Sequence, residues 1–250
     1  MEKELTRKYV IRVLLVLGIL AFFGKVSVAT NTGNGDFNNF LQDERYELQP
    51  CNNTLHGENP AHNFSFRLTG NGYQLHPKQL GENTIELEVV GIYSTHGSLS
   101  NQPFAYELPQ PNQAIFWQNN FKVEYINNAL GLRQNFIIQQ NQNTNQLHVL
   151  LMFCGATPVL KNSKYVSLQN ANGQEILSYA DLNVWDANGK KLEAALEVEG
   201  QQVYIKLNNT QGAAYPITID PISTTPDWQA EINVADAGFG RSLTSAGDVN

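Results

Sequence analysis

The sequence predicts an all-β fold, an antiparallel β-sandwich-like domain. Short segments alternate apolar and polar residues, and turn-forming residues recur about every 8–12 positions. Outside the N-terminus, no window repeats apolar residues at the spacing of an amphipathic helix. The composition agrees with this prediction, because about 29 Asn and 19 Gln accompany few lysines, a balance that is typical of secreted β-rich proteins.

Three segments give the clearest strand pattern, because apolar residues alternate with charged ones and so divide between a core face and a solvent face. They are residues 84–89, 121–125 and 203–207. Further strands are predicted at residues 64–68, 133–139, 147–154, 165–168, 176–179 and 182–185. Asn188-Gly189, between two strand-like runs, predicts a tight hairpin, since this pair accepts the positive φ that such turns require. A last strand is predicted over residues 215–221, ended by Pro221.

The first 29 residues have the organisation of a secretory signal peptide. Basic residues precede an apolar run over residues 13–23, and Ser27-Val28-Ala29 places small residues where signal peptidase cleaves. Cleavage is expected after Ala29, with an uncleaved N-terminal anchor as the alternative. The protein is therefore expected to be secreted or at the cell surface. Residues 30–45 are expected to form a flexible leader. A β-sandwich-like domain is expected over residues 46–222.

The charge distribution limits the partners. Residues 1–29 hold five of the 16 basic and two of the 23 acidic residues, so the remainder carries 11 basic and 21 acidic ones. An acidic body without a basic block argues against nucleic acid, because binding to phosphate needs clustered Lys and Arg. No transmembrane span is expected after signal cleavage. An extracellular protein or a carbohydrate is the expected ligand.

Cys51 and Cys154 are the two cysteines of the chain. Export to an oxidising compartment would permit a disulfide between them, which would contribute about 4–5 kcal/mol in the chain-entropy model. The alternative is that Cys154 is a buried free thiol, because it ends an apolar run. The spacing of Cys and His does not resemble that of a zinc site.

No catalytic motif is apparent, and the chain is not expected to be an enzyme. Glu86 and Glu88 lie two positions apart on one strand, which would allow them to pair like the carboxylates of a glycosidase, but such alternation more often marks a solvated sheet face. Phe116, Trp117 and Tyr125 could form an aromatic platform for sugars, with core packing as the favoured alternative.

The last twelve residues, Phe239-Gly240-Arg241 through Gly247-Asp248-Val249-Asn250, resemble the opening of an FG-GAP repeat. This repeat is the blade of integrin-α-like β-propellers, and the resemblance implies that residues 223–250 are a linker and an incomplete first repeat. In that family, Asp and Asn oxygens of the loop hold Ca²⁺. Asp248 and Asn250 match the first ligand positions, which gives only a partial site, since Ca²⁺ takes about six to eight oxygens. No cofactor is expected in this chain, and Ca²⁺ is expected only in a full-length propeller.

Residues 131–138, 182–190 and 215–221 are similar to a β-rich domain that precedes such repeats in large secreted bacterial proteins. The resemblance implies an exported, non-enzymatic domain of an FG-GAP repeat protein that acts in cell-surface adhesion or recognition. It also implies that the chain is a fragment of a longer protein. Two alternatives remain: an accessory binding module of a larger secreted polysaccharide-degrading enzyme, and a fragment without independent function.

Overall fold

The computed structural model describes residues 44–78, 84–99 and 105–226, which all lie in one compact unit. These residues form seventeen β-strands in two antiparallel sheets. The prediction of an all-β, sandwich-like fold is therefore confirmed.

Sheet A contains nine strands. Its spatial order is β1 (Gln49–Cys51), β2 (Thr54–Asn59), β3 (Phe64–Thr69), β4 (Gly72–Pro77), β5 (Ile85–Ser94), β11 (Leu147–Cys154), β16 (Gln202–Leu207) and β15 (Ala194–Glu199), with β6 (Gly97–Ser98) paired to β5.

Sheet B contains eight strands. Its spatial order is β12 (Thr157–Asn162), β13 (Tyr165–Gln169), β14 (Glu175–Trp185), β17 (Ile217–Thr224), β10 (Gly131–Ile138), β9 (Phe121–Asn128), β8 (Gln113–Trp117) and β7 (Ala105–Gln110). The chain changes sheet after β6, β10, β11, β14 and β16.

The core lies between the two sheets and follows the period-2 pattern of the strands. Along β11, every second side chain from Leu147 to Phe153 is buried. The ring of Phe153 meets that of Tyr179 in sheet B edge-to-face, with centroids 5.6 Å apart. Burying a large apolar side chain contributes about 1.5–3 kcal/mol, so these inner faces supply the main force that holds the sheets together.

Buried tyrosines bring a hydrogen-bonded network into this apolar core. Gln134 Nε2 donates to the hydroxyl of Tyr125 at 2.9 Å, and the hydroxyl of Tyr179 donates to Gln134 Oε1 at 2.8 Å. The hydroxyls of Tyr73 in sheet A and Ser223 in sheet B lie 2.7 Å apart. Burial raises the pKa of each of the three tyrosines, so their hydroxyls stay protonated.

Two buried asparagines join the sheets at β2 and β9. Asn59 Nδ2 donates to Asn127 Oδ1 at 2.8 Å, and neither residue is exposed to solvent. Asn127 Nδ2 donates in turn to the backbone oxygens of Tyr46 and Glu58, at 2.9 and 2.8 Å. The same side chain therefore ties the segment before β1 to the sandwich.

Two of the predicted strands are one strand in the structure. Residues 176–179 and 182–185, predicted as two strands, form the single strand β14, with a register shift between Ala180 and Asn183. This bulge lies opposite Pro221, and β17 continues through the proline to Thr224 instead of ending there. Proline cannot donate a hydrogen bond and is tolerated within a sheet where a bulge interrupts the pairing. The strand consequently extends beyond the boundary at residue 222 expected from the sequence.

The predicted Asn188-Gly189 hairpin is a corner between the sheets. Gly189 has the expected positive φ of 75°, and Trp185 and Lys191 form one bridge. The strands on either side, β14 and β15, belong to different sheets. Asp186 holds the corner because its carboxylate accepts hydrogen bonds from three backbone N–H groups, those of Asn188, Lys190 and Ala214.

Candidate functional site

The outer face of sheet B, which points away from the core, carries two rows of side chains that cross the same strands. The tryptophan row follows the pairing register across five strands and consists of Trp117, Lys122, Ile137, Thr218 and Trp185. The polar row lies two residues away on four of these strands and consists of Glu124, Asn135, Asp220 and Asn183.

The polar row is held by hydrogen bonds within the sheet. Glu124 accepts 2.7 Å hydrogen bonds from Asn135 Nδ2 and from Gln113 Nε2, one at each carboxylate oxygen. Arg133 forms an ion pair with Asp220 Oδ2. Asn135 is 7% exposed and Asp220 is 6% exposed, so both side chains are fixed in a largely dehydrated environment.

Free hydrogen-bonding atoms concentrate on this face. In the described part of the chain, four buried side-chain atoms lack a hydrogen-bond partner, and three of them are Trp117 Nε1, Asn135 Oδ1 and Asp220 Oδ1. All three belong to the two rows on the outer face of sheet B. A buried polar group without a partner costs about 1–3 kcal/mol. Each of the three atoms has less than 1 Å² of accessible surface, so a ligand reaches it only after neighbouring side chains move aside. A ligand hydroxyl that does so recovers part of that free energy, since a hydroxyl both donates and accepts.

A cavity of about 720 Å³ opens at one end of the rows. Asp220, Asn183 and Trp185 line it together with Lys164, Lys191 and Glu193. Burial raises the pKa of Asp220, while the hydrogen bond and the charge of Arg133 oppose the shift, and Glu124 and Asp181 add repulsion. An aromatic wall beside a few convergent polar groups is the usual composition of a small-molecule site.

Sheet A offers a second concave surface, with a cleft of about 830 Å³ above β2, β3 and β4. Polar side chains of the cleft already have partners: Arg67 donates to Gln74 within it, and Glu58 lies 2.7 Å from Nζ of Lys78 beside it. Such satisfied pairs gain less from a ligand than the free atoms on sheet B.

An aromatic stripe crosses the same outer face of sheet A farther along. The ring of His148 stacks on Tyr93 at 5.1 Å and lies 6.2 Å from Tyr204. Burial and the nearby charge of Lys206 lower the pKa of His148. The stripe is an aromatic surface without the free buried atoms that distinguish sheet B.

The aromatic residues named from the sequence separate in the structure. Phe116 and Tyr125 point into the core, where their rings meet edge-to-face with centroids 5.8 Å apart. Trp117 points outward, and Lys122 Nζ lies 5.0 Å above its ring. Core packing is therefore confirmed for two of the three residues. Glu86 and Glu88 are exposed on the solvent face of sheet A, as the favoured interpretation predicts.

The disulfide expected from the sequence is not formed, because Cys51 and Cys154 are both free and exposed. Their strands, β1 and β11, are five positions apart in sheet A, or roughly 24 Å at the usual strand spacing. A disulfide requires Cα atoms within about 7 Å. The alternative of a buried thiol at Cys154 is also wrong, since the alternation of β11 turns Phe153 inward and Cys154 outward.

Several predicted features lie outside the described residues, namely the signal peptide, the cleavage site after Ala29, and the partial calcium site at Asp248 and Asn250. Within residues 44–78, 84–99 and 105–226, no cluster of three or more His, Cys, Asp or Glu could hold a metal ion. The same residues contain no helix with the length and apolar character needed to cross a bilayer.

The sequence reasoning did not single out Asn135, Asp220 or Trp185 as site residues. Their positions on the outer face follow from strand alternation, which the sequence displays, but their proximity depends on how distant strands pair. Comparison with known proteins adds no assignment: no protein-family model matches the chain, and no curated protein matches it.

Proposed function

We propose that this chain is an exported, non-enzymatic recognition domain that binds a neutral extracellular carbohydrate on the outer face of sheet B. The observation that carries the proposal is the cavity lined by Trp185, Asn183 and Asp220, the last of which also has a buried oxygen, Oδ1, without a partner. The apolar face of a sugar ring packs on an indole ring, while its hydroxyls hydrogen-bond to carboxylate and amide groups.

The charges of the face support a neutral ligand. Arg133 pairs with Asp220, and the carboxylate of Glu124 is occupied by two amide donors. The remaining cation of the tryptophan row, Lys122, lies above the ring of Trp117. A strongly charged ligand would have to break the Arg133–Asp220 pair or the contacts of Glu124, whereas a sugar leaves both in place. The cavity is lined by two lysines, Lys164 and Lys191, and by two carboxylates, Glu193 and Asp220, so its formal charges balance.

The sequence supports the wider setting of the proposal. The signal-peptide pattern of residues 1–29 favours export to the cell surface or beyond, and residues 239–250 resemble the start of an FG-GAP repeat. In this setting the domain presents its sugar site next to a β-propeller, and Asp248 and Asn250 bind Ca²⁺ only within complete blades. A carbohydrate site also suits an accessory module of a polysaccharide-degrading enzyme, which a hydrolase domain in the adjoining gene sequence would indicate.

Affinity electrophoresis of the full chain in gels containing β-glucan, xylan, mannan or starch tests the proposal. We expect at least one of these neutral polymers to retard the protein and Trp185→Ala to abolish the retardation. Tyr204→Ala is the matched control, because it removes an aromatic side chain from the outer face of the other sheet. Free migration in every gel contradicts the proposed function, as does retardation that Trp185→Ala leaves unchanged.

A further inference from the structure

The features that mark the cavity continue across sheet B. We infer that the site extends along the tryptophan row to Trp117 and takes an extended polysaccharide chain, an inference that rests on the proposed function. Trp117 Nε1 and Asn135 Oδ1 are buried and without a partner, and neither residue lines the cavity at Asp220. A ligand confined to the cavity would leave both atoms unsatisfied.

The register fixes the length of the track. Trp117 pairs with Lys122, Lys122 with Ile137, Ile137 with Thr218, and Thr218 with Trp185. The two tryptophans are thus four strand spacings apart, or about 19 Å. A single sugar ring cannot touch both, whereas a chain of several sugar units can.

The polar row provides hydrogen bonds along the same track. Glu124, Asn135 and Asp220 are each two residues from a member of the tryptophan row, which places them about 7 Å away along their strands. The free atoms there are the acceptors Asn135 Oδ1 and Asp220 Oδ1, and Trp117 Nε1 adds a donor. One donor on the tryptophan row and two acceptors on the polar row suit the hydroxyls of successive sugar units.

Lys122 controls access to the far end. Its ammonium group lies 5.0 Å above the ring of Trp117, so a sugar that stacks there must displace it. The flexible four-carbon stem of lysine permits this movement. Trp117 is therefore expected to add to the binding affinity only for a ligand that is already bound at Trp185.

Titration calorimetry with the full chain tests the inference, using size-fractionated oligosaccharides, from the disaccharide upward, of the polysaccharide that retards the protein most. We expect the affinity to rise with chain length and then to level off. Trp117→Ala should lower the affinity for the long oligosaccharides about tenfold and leave that for the disaccharide unchanged. Trp185→Ala should weaken the binding of both, and Trp117→Phe should retain the dependence on length.

An affinity that does not vary with chain length overturns the extended track while leaving the proposed function intact. An equal effect of Trp117→Ala on short and long ligands also overturns it, because it indicates a structural role. The chain has three tryptophans, so the emission of Trp117 is taken as the difference between the wild type and Trp117→Phe. If acrylamide does not quench this difference and long oligosaccharides do not alter it, another part of the chain covers this end and the inference is wrong. Circular dichroism of each variant identifies any loss of folding.

Discussion

Asp220 and Asp186 have opposite electrostatic surroundings within one sheet. Burial raises the pKa of Asp220, with Arg133 opposing the shift, whereas the backbone N–H of Ala214 and further backbone donors lower the pKa of Asp186. Asp186 follows the strand predicted at residues 182–185, and Asp220 lies within the one predicted at residues 215–221, where alternation alone predicts that it points outward. The free oxygen of Asp220 could not be predicted, because it depends on which residues of β10 and β14 lie beside it.

The Asp220→Asn variant tests the raised pKa. The folded protein binds a proton at Asp220 more readily than the unfolded chain does. In the pH range from the ordinary value of 3.8 up to the raised pKa, the free energy of unfolding of the wild type should therefore fall with rising pH, relative to the variant. Urea unfolding at a series of pH values measures this difference.

Asp186→Asn is the control, because the pKa of Asp186 is shifted in the opposite direction from that of Asp220. Because the pKa of Asp186 is lowered, its stabilising contribution is complete above 3.8 and is lost as the pH falls through its folded pKa. The free energy of unfolding of the wild type should rise with pH relative to this variant. Parallel curves for Asp220→Asn and Asp186→Asn would show that the two environments do not differ as described.

At the scale of the elements, prediction succeeded where a strand buries one face. Alternation placed β11 at residues 147–154, as observed. The edge strand β7 was missed because all six of its residues are exposed and leave no alternation to detect. The short strand β8, with three consecutive buried residues, likewise departs from a period of two. Strands without one buried face thus escape the pattern. The strand β2 buries alternate residues but was also missed, because Gly57 and Asn59 rather than apolar side chains occupy two of its buried positions.

The turns between elements depend on close contacts that the sequence does not reveal. Gly155 leads from β11 in sheet A to β12 in sheet B with φ of 81°. A Cβ atom there would lie 1.9 Å from the backbone oxygen of Thr84. Gly173, between β13 and β14, has a similar φ of 76°, but a Cβ atom would meet nothing within 4 Å.

Alanine variants of these two glycines separate the free-energy cost of a positive φ from the cost of the close contact with Thr84. Gly173→Ala should destabilise the protein by about 1–2 kcal/mol, because an L-residue disfavours positive φ. Gly155→Ala should cost at least about 2 kcal/mol more, since the backbone at Thr84 must move. Chemical denaturation measures both values. Equal losses would show that the turn at Gly155 has room for a side chain.

At the scale of the molecule, the candidate site joins five strands whose residues range from Trp117 to Asp220 along the chain. Strand alternation in the sequence indicates which residues of each strand face outward, and the sequence predicted the fold class. It could not provide the order β14, β17, β10, β9 and β8 that brings the residues together. That order follows from the path of the chain between sheets, which no local pattern records. The candidate site is therefore a property of the topology.

A contact between residues far apart in the sequence also joins the two sheets, at the buried side chain of Asn127. Replacing this residue by Leu removes the side-chain partner of the backbone oxygens of Tyr46 and Glu58 and of Asn59 Nδ2, all of which hydrogen-bond to the amide of Asn127. Each buried polar group that loses its partner costs about 1–3 kcal/mol. We expect Asn127→Leu to lower the free energy of unfolding by about 2–4 kcal/mol, measured by urea denaturation.

Hydrogen exchange shows whether the loss arises at the junction of the sheets. The N–H of Leu48 donates to the backbone oxygen of Pro111 at 2.7 Å, and Asn127 anchors the neighbouring Tyr46. In Asn127→Leu, the amide of Leu48 should exchange faster than amides within β11. The adjacent Asn128→Ala is the control, because its side chain accepts only a local hydrogen bond, from Leu130 N, and it should cost under about 1.5 kcal/mol. A similar cost for both variants, with Leu48 still protected, would mean that the Asn59–Asn127 pair does not hold the sheets together.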